Sequence, residues 1–211
     1  MPQLSEQIKD RWLETLLPRV SQAGWTQLAA GQAARDAGLS PGEQALAAPN
    51  GVADLIDHLF VGATGTMRAT LHAQDLTGMR THHRVGAGVW AWLQALEPHK
   101  PAVRKAAGRG LLPWGASAAT KQVWAIADAV WDAAGDTATD YNRQTKRLLL
   151  GAVIPAIVLY WLDHDEPRAV QDFIAKRLQN AMKLGQTGSK ILAPVLDFTA
   201  RFRRPEKSRD L

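Results

Sequence analysis

A chain of 211 residues, 46% hydrophobic and 21% charged, has the makings of an ordinary globular protein, long enough for one large core or two closely packed small units. The lack of cysteine excludes disulfides, thiol catalysis and thiolate metal sites, and fits a reducing compartment. A net charge of +5 admits phosphate-bearing partners, whether nucleic acid or anionic lipid, but no Lys or Arg falls between Arg35 and Arg68, and cations crowd the middle and the last segment instead.

In chain order, helical spacing dominates and strand alternation is scarce, so the expected class is all-α. The opening MPQLSEQIKDRW holds acidic residues, no apolar run of signal-peptide length and no Arg-rich presequence, which predicts a cytoplasmic, bacterial-type chain. Ile8, Trp12, Leu16 and Val20 recur every four residues and give a first helix ending at Gly24. Thr26 opens a short second helix through Ala34, and Asp36-Ala37-Gly38 turns the chain. Ser40-Pro41-Gly42-Glu43 is a capping box that starts a third helix, to about Ala47. Residues 1–48 therefore read as a helix-turn-helix-like three-helix bundle.

A second unit is expected over 51–185. Leu55, Ile56, Leu59, Phe60, Ala63 and Met67 form a long amphipathic helix, followed by one from Met79 to Leu96 with Val85, Val89, Trp92 and Leu96 on a single face. Pro98 and Pro101 bracket a break, and a basic helix runs to about Arg109 ahead of the Leu111–Gly115 loop. Val123, Ile126, Val130 and Ala134 define the next helix, closed by Gly135 and Asp136. Asp136 and Asp140 then sit where carboxylates stabilise a helix N-terminus. The helix from Lys146 to Leu162 contains 15 uncharged residues, Leu148 to Leu162. That run is shorter than the ~20 residues needed to cross a hydrocarbon core, so the expected form is a helix buried on every side. Pro155 removes a hydrogen bond to Gly151 and bends it, making Leu150, Ile154, Pro155, Ile157, Val158 and Trp161, with Trp131 opposite, the candidate wall of an apolar lipid cavity. A last globular helix is expected from Asp165 to Gly185.

Residues 186–211 differ in kind. Gln186 to Ser189 reads as a flexible linker. Beyond it Ile191, Val195, Phe198 and Phe202, widened by Leu192 and Leu196, share a helical face, with Arg201, Arg203 and Arg204 at its end. A helix of about a dozen residues is marginal in water, and this one suits an anionic membrane surface.

Chemistry is scarce. His82-His83 is an adjacent pair whose side chains diverge by about 100 degrees on a helix, and the other histidines are scattered. There is no Glu-x-x-His pair of the di-iron class, P-loop, GxGxxG, GxSxG or zinc spacing, so neither catalysis nor a cofactor is expected. Gly86-Ala87-Gly88 reads as a small-residue helix contact. The third helix offers Glu43 and Gln44 and no cation, which speaks against DNA binding.

One segment carries a resemblance. Ala134 to Asn142, AGDTATDYN, followed by Thr145-Lys146-Arg147, resembles the AGD-x-[ST]-TD-[FY]-N-x-x-T-[KR]-R signature of the ninth coenzyme Q protein family, lipid-binding accessory proteins of ubiquinone biosynthesis. Gly24-Trp25-Thr26, Ala33-Ala34, Gly38-Leu39-Ser40, Asp54-Leu55-Ile56 and Phe60 resemble the same family's N-terminal part, a motif shared with helix-turn-helix proteins of the TetR class. The resemblance implies a TetR-like fold that has lost operator binding, a TetR-type homodimer and a bound isoprenoid lipid or ubiquinone intermediate. It further implies docking of a demethoxyubiquinone hydroxylase on a patch whose matching positions are Asp128, Asp136, Asp140 and Asn142. Together with the tail, it implies peripheral attachment to the inner membrane. Where the family has two aromatics after the Asn, this chain has Arg143-Gln144, and Pro155 replaces a small polar residue. The alternative reading is a TetR-type ligand-responsive transcription regulator.

Overall fold

The computed structural model describes residues 4–107, 119–137 and 141–183. All regular structure among them is helical, as the spacing predicts: α1 (Leu4–Ala23), α2 (Gln27–Asp36), α3 (Pro41–Ala47), α4 (Val52–His72), α5 (Thr81–Leu96), a 3-10 turn (Glu97–His99), α6 (Lys100–Ala107), α7 (Ala119–Ala133) and α8 (Tyr141–Asp163). A further helix, α9, occupies 167–183.

The first three helices form where the caps place them. Thr26 accepts a hydrogen bond from the Ala29 amide, and Ser40 and Glu43 complete a reciprocal capping box. At the end of α2, Gly38 adopts φ 68°, and the amides of Gly38 and Leu39 return to the carbonyls of Arg35 and Ala34, a Schellman closure that needs a left-handed residue. Trp12, buried on α1, donates its indole N–H to the Ala30 carbonyl at 2.8 Å and ties α1 to α2.

The bundle shares one buried core with the helices that follow. Trp25, between α1 and α2, is 1% exposed and donates Nε1 to the Ala102 carbonyl on α6 at 2.8 Å. His58 on α4 meets Asp10 on α1 at 2.6 Å. α4 and α5 run antiparallel, with Phe60 stacked on Trp92. Gly88 lets them close on α7, since a Cβ there would lie 3.2 Å from Leu71 and 3.1 Å from Val130. The break expected between Pro98 and Pro101 is the 3-10 turn that separates α5 from α6. Pro98 lies in the 3-10 turn and Pro101 in the first turn of α6, where the lost amide would have no helical partner anyway.

Three boundaries move. α4 continues to His72, α8 starts at Tyr141 rather than Lys146, and α9 starts at 167 rather than Asp165. Asp165 is drawn instead to buried Lys100, whose Nζ bonds Asp165 Oδ1 at 2.8 Å and the His164 carbonyl at 3.1 Å. Beyond that junction Phe173 stacks on Tyr160 and Tyr160 on His164, with ring centroids 3.9 and 3.7 Å apart, and this seats α9 against α8.

The expectation for α8 requires correction. Leu150, Ile154, Ile157, Val158 and Trp161 are all at most 2% exposed, but Leu148 is 65% and Leu159 50% exposed. Ala152 is exposed and Pro155 half-buried on the same outer stripe. An uncharged run says nothing about direction, and this helix packs one face only. By length and composition, 143–163 is the single stretch among the described residues that could cross a membrane, yet its inner face belongs to the protein core and Arg147 is spent on protein carboxylates.

Candidate functional site

The signature segment folds into a charge-locked hairpin between α7 and α8. Gly135, at φ 79°, ends α7 by a Schellman closure: its amide reaches the Asp132 carbonyl at 2.9 Å and the Asp136 amide reaches that of Trp131 at 3.0 Å. Asp128, Asp132 and Asp136 stand four residues apart on and just beyond α7, and Arg143 and Arg147 four apart on α8. Arg147, 1% exposed, reaches all three carboxylates: Nε bonds Asp128, Nη2 bonds Asp132 at 2.7 Å and Nη1 bonds Asp136 at 3.0 Å. Arg143 adds Asp128 at 2.8 Å, and Lys146 adds Asp136 at 2.7 Å. A buried guanidinium is tolerable only when its fork is satisfied in this way. Burial opposes ionisation of both Asp128 and Arg147. The hydrogen bonds between them outweigh it, holding the Asp128 carboxyl below its usual range and raising Arg147.

Asp136, expected to stabilise the α8 N-terminus, holds two cations, Lys146 and Arg147, on its nearly buried carboxylate, and the residues between it and α8 lie outside the described ones. Asp128 and Asp136, expected on a docking patch, have their carboxylates bonded to the cations of α8, while Asp132, Gly135, Thr137 and Gln144 are exposed on the hairpin and Arg143 is half-exposed. Asp140 and the Asn142 side chain lie outside the described residues, as do Ile191, Leu192, Val195, Leu196, Phe198, Arg201, Phe202, Arg203 and Arg204. Arg147 stands in the signature without a role of its own and Asp132 outside it, although their four-residue registers carry the signal.

Of the expected lipid-wall residues, Trp131, Leu150, Ile154, Ile157, Val158 and Trp161 sit together in the shared core, and Pro155 lies on the outer stripe of α8. Trp131 gives its indole N–H to the Lys146 carbonyl at 3.1 Å, and Trp161 gives its own to Glu97 at 2.6 Å. Open apolar space among the described residues lies between other helices. A cleft of about 410 Å³ separates α5 from α9, floored by Gly86, Ala87, Trp90, Ile174, Ala175 and Leu178. Its polar groups are Gln171, Gln179, His82 and His83. The two imidazoles meet edge to face at 4.2 Å. Desolvation, then the neighbouring His83 and Arg80, push His82 below the usual imidazole value, so at neutral pH it is an uncharged hydrogen-bonding group. Of the small residues at 86–88, expected as a helix contact, Gly88 makes one with α4 and α7, and Gly86 and Ala87 line this cleft.

No group of three or more metal-ligating side chains occurs among the described residues. α3 carries no Lys or Arg.

The COQ9 family model matches residues 116–185, which contain α7, the charge lock and α8. Over 195 residues, 88% of this chain, the sequence is 26% identical to the mitochondrial ubiquinone biosynthesis protein COQ9 of Homo sapiens, covering 61% of that protein. The corresponding protein of Rattus norvegicus is 26% identical with 62% covered, and that of Bos taurus 25% with 61% covered. The chain thus spans about three-fifths of the length of these curated relatives. The resemblance read from the sequence to the COQ9 family is shown by these matches.

Proposed function

We propose that this chain is a non-catalytic accessory protein of ubiquinone biosynthesis, which shields a prenylated quinone intermediate in the α5–α9 cleft and presents it to a membrane-associated hydroxylase. The observation that carries the reading is the cleft itself: apolar along Gly86, Ala87, Trp90 and Leu178, with uncharged polar groups at His82 and Gln179. An isoprenoid tail requires apolar burial, and a quinone carbonyl requires a hydrogen-bond donor. The likeness to ubiquinone biosynthesis proteins supplies the chemical class. The wall first expected on α8 contributes indirectly, since its packing holds the core on which α5 and α9 rest.

The outer stripe of α8, Leu148, Ala152, Pro155 and Leu159, is an apolar face suited to a protein partner. In this reading the hydroxylase meets its Arg143-Gln144 end, and the remainder with α9 pairs a second copy. The tail at Ile191 to Phe202 attaches the assembly to the inner membrane surface. A regulator reading finds no support in α3, which offers phosphates no cation.

The test is extraction of lipid from protein purified from its own membranes, followed by mass spectrometry. The parent chain is expected to release a stoichiometric isoprenoid quinone. Ala175→Trp, placing a large ring in the cleft, is expected to lower the yield at least fivefold with an unchanged helical spectrum. Equal yield from the two proteins would sink the assignment of this cleft.

A further inference from the structure

A second groove, larger than the α5–α9 cleft, has no role in this reading. It encloses about 960 Å³ between α1 and α4, closed at one end by the 3-10 turn and the start of α6. Its floor is apolar, including Leu13, Leu17, Leu59 and Val61, the last 56% exposed. One rim is acidic: Glu6, Asp10 and Glu14 recur every four residues along α1 and face the same trough. Asp10 meets His58, whereas Glu6 and Glu14 form no ion pair with any described cation. The arginines of α1 do not neutralise this rim, because Arg11 bonds Glu43 and Arg19 bonds Asp36.

An apolar trough with a row of carboxylates repels anionic lipid and phosphate, and its complement is a cationic amphipathic helix. The sequence contains one. Ile191, Val195, Phe198 and Phe202 make a single apolar face, and Lys190, Arg201, Arg203 and Arg204 bracket it with positive charge. Residues 191–202 as a helix measure ~17 Å, and the α1 wall from Glu6 to Ser21 measures ~22 Å. Leu178 lies against Gly86, and Gln179 beside Met79 at the start of α5, so α9 ends at that end of the molecule. Antiparallel packing brings the Thr66 end of the groove toward the same end. The connecting residues 184–190 span up to ~24 Å when extended.

We propose that the α1–α4 groove is an intramolecular berth for segment 191–202, held by the Glu6/Asp10/Glu14 rim and vacated when an anionic membrane competes for the same apolar face. The berth hides a sticky segment in the aqueous phase and makes membrane attachment a switch between two partners for one helix face. A tethered segment docks at high effective concentration, so modest affinity suffices. The proposal rests on the membrane role given to the tail above, but its docking half stands apart from it.

The test uses the full chain, which is free of cysteine. Thr66→Cys and Ala200→Cys are introduced together for spin labels, and the distance between them is read by pulsed electron resonance. A narrow short-distance population is expected in solution, reduced at least threefold by Glu6→Lys/Glu14→Lys and lost on phosphatidylglycerol vesicles. Circular dichroism establishes that the charge-reversed protein is folded. A broad, long distribution unaffected by charge reversal overturns the berth. So does a short distance that vanishes on dilution with unlabelled protein, which would place a second copy's segment in the groove. A short, charge-dependent distance that vesicles leave unchanged supports the berth and defeats the membrane role.

Discussion

Arg147 is the residue on which the signature hairpin depends. It is 1% exposed and satisfied by Asp128, Asp132 and Asp136, so truncating it leaves three carboxylates facing one another without their shared counter-charge. Removing one partner from a buried ion network costs ~3–5 kcal/mol. Arg147→Met is expected to lower the melting temperature by roughly 10 °C, read by calorimetry. A loss below a couple of degrees would show that the hairpin is held by α7–α8 packing instead. The same network sets an acid limit. Hydrogen bonds from Arg147 and Arg143, exceeding the cost of burial, depress the Asp128 carboxyl below its ordinary 3.8. A depressed acid contributes stability that is present above the unfolded value and lost as pH falls through the folded one. Melting temperature is therefore expected to drop on acidification below about pH 4, and Asp128→Asn to flatten that limb while lowering the plateau at neutral pH. An unchanged acid limb would assign the loss to other carboxylates.

At the scale of elements, α8 decides most. Its inner face lies in the core, and its outer face exposes Leu148 and Leu159 across a stripe that also holds Ala152 and Pro155. Leu148→Glu/Leu159→Glu changes only exposed positions, so thermal stability is expected to hold within about 0.5 kcal/mol. The dimer proposed above is expected to sediment as monomer after this change; a dimer that persists would move the copy-to-copy contact off this helix, and a parent chain that sediments as monomer would overturn the pairing. The sequence showed that α8 is apolar and long but not which side faces out, because Leu at 148 and Leu at 150 are the same letter. α8 continues through Pro155, and among the described residues an apolar cleft lies where the small residues of α5 face α9.

Across the whole molecule, one buried cluster connects the three-helix bundle to the larger helical part, and Trp25 is a principal link between them. Its indole reaches from the α1–α2 turn to the Ala102 carbonyl on α6. Trp25→Phe keeps most of the apolar volume but strands that carbonyl, at ~1–3 kcal/mol. The expected result is a single cooperative denaturant transition shifted to lower midpoint. Two separated transitions would show that the bundle and the remainder unfold independently.

Periodicity, caps and turn glycines were enough for the sequence to determine the all-α class and nearly every helix from α1 to α7, because these signals are local. Ser40 and Glu43 fix their own cap, and Gly38 and Gly135 fix their own turns, with no distant partner required. The signature at 134–147 also carried the family resemblance directly, through residue identity. Tertiary structure alone decided what those residues do. It brought Asp128, Asp132 and Asp136 onto Arg147, placed the inner-face residues of α8 in the core with Pro155 on the outer stripe, and opened grooves between α5 and α9 and between α1 and α4. Each of those outcomes depends on which faces of helices distant in sequence come together, and a face is a property of the packed pair.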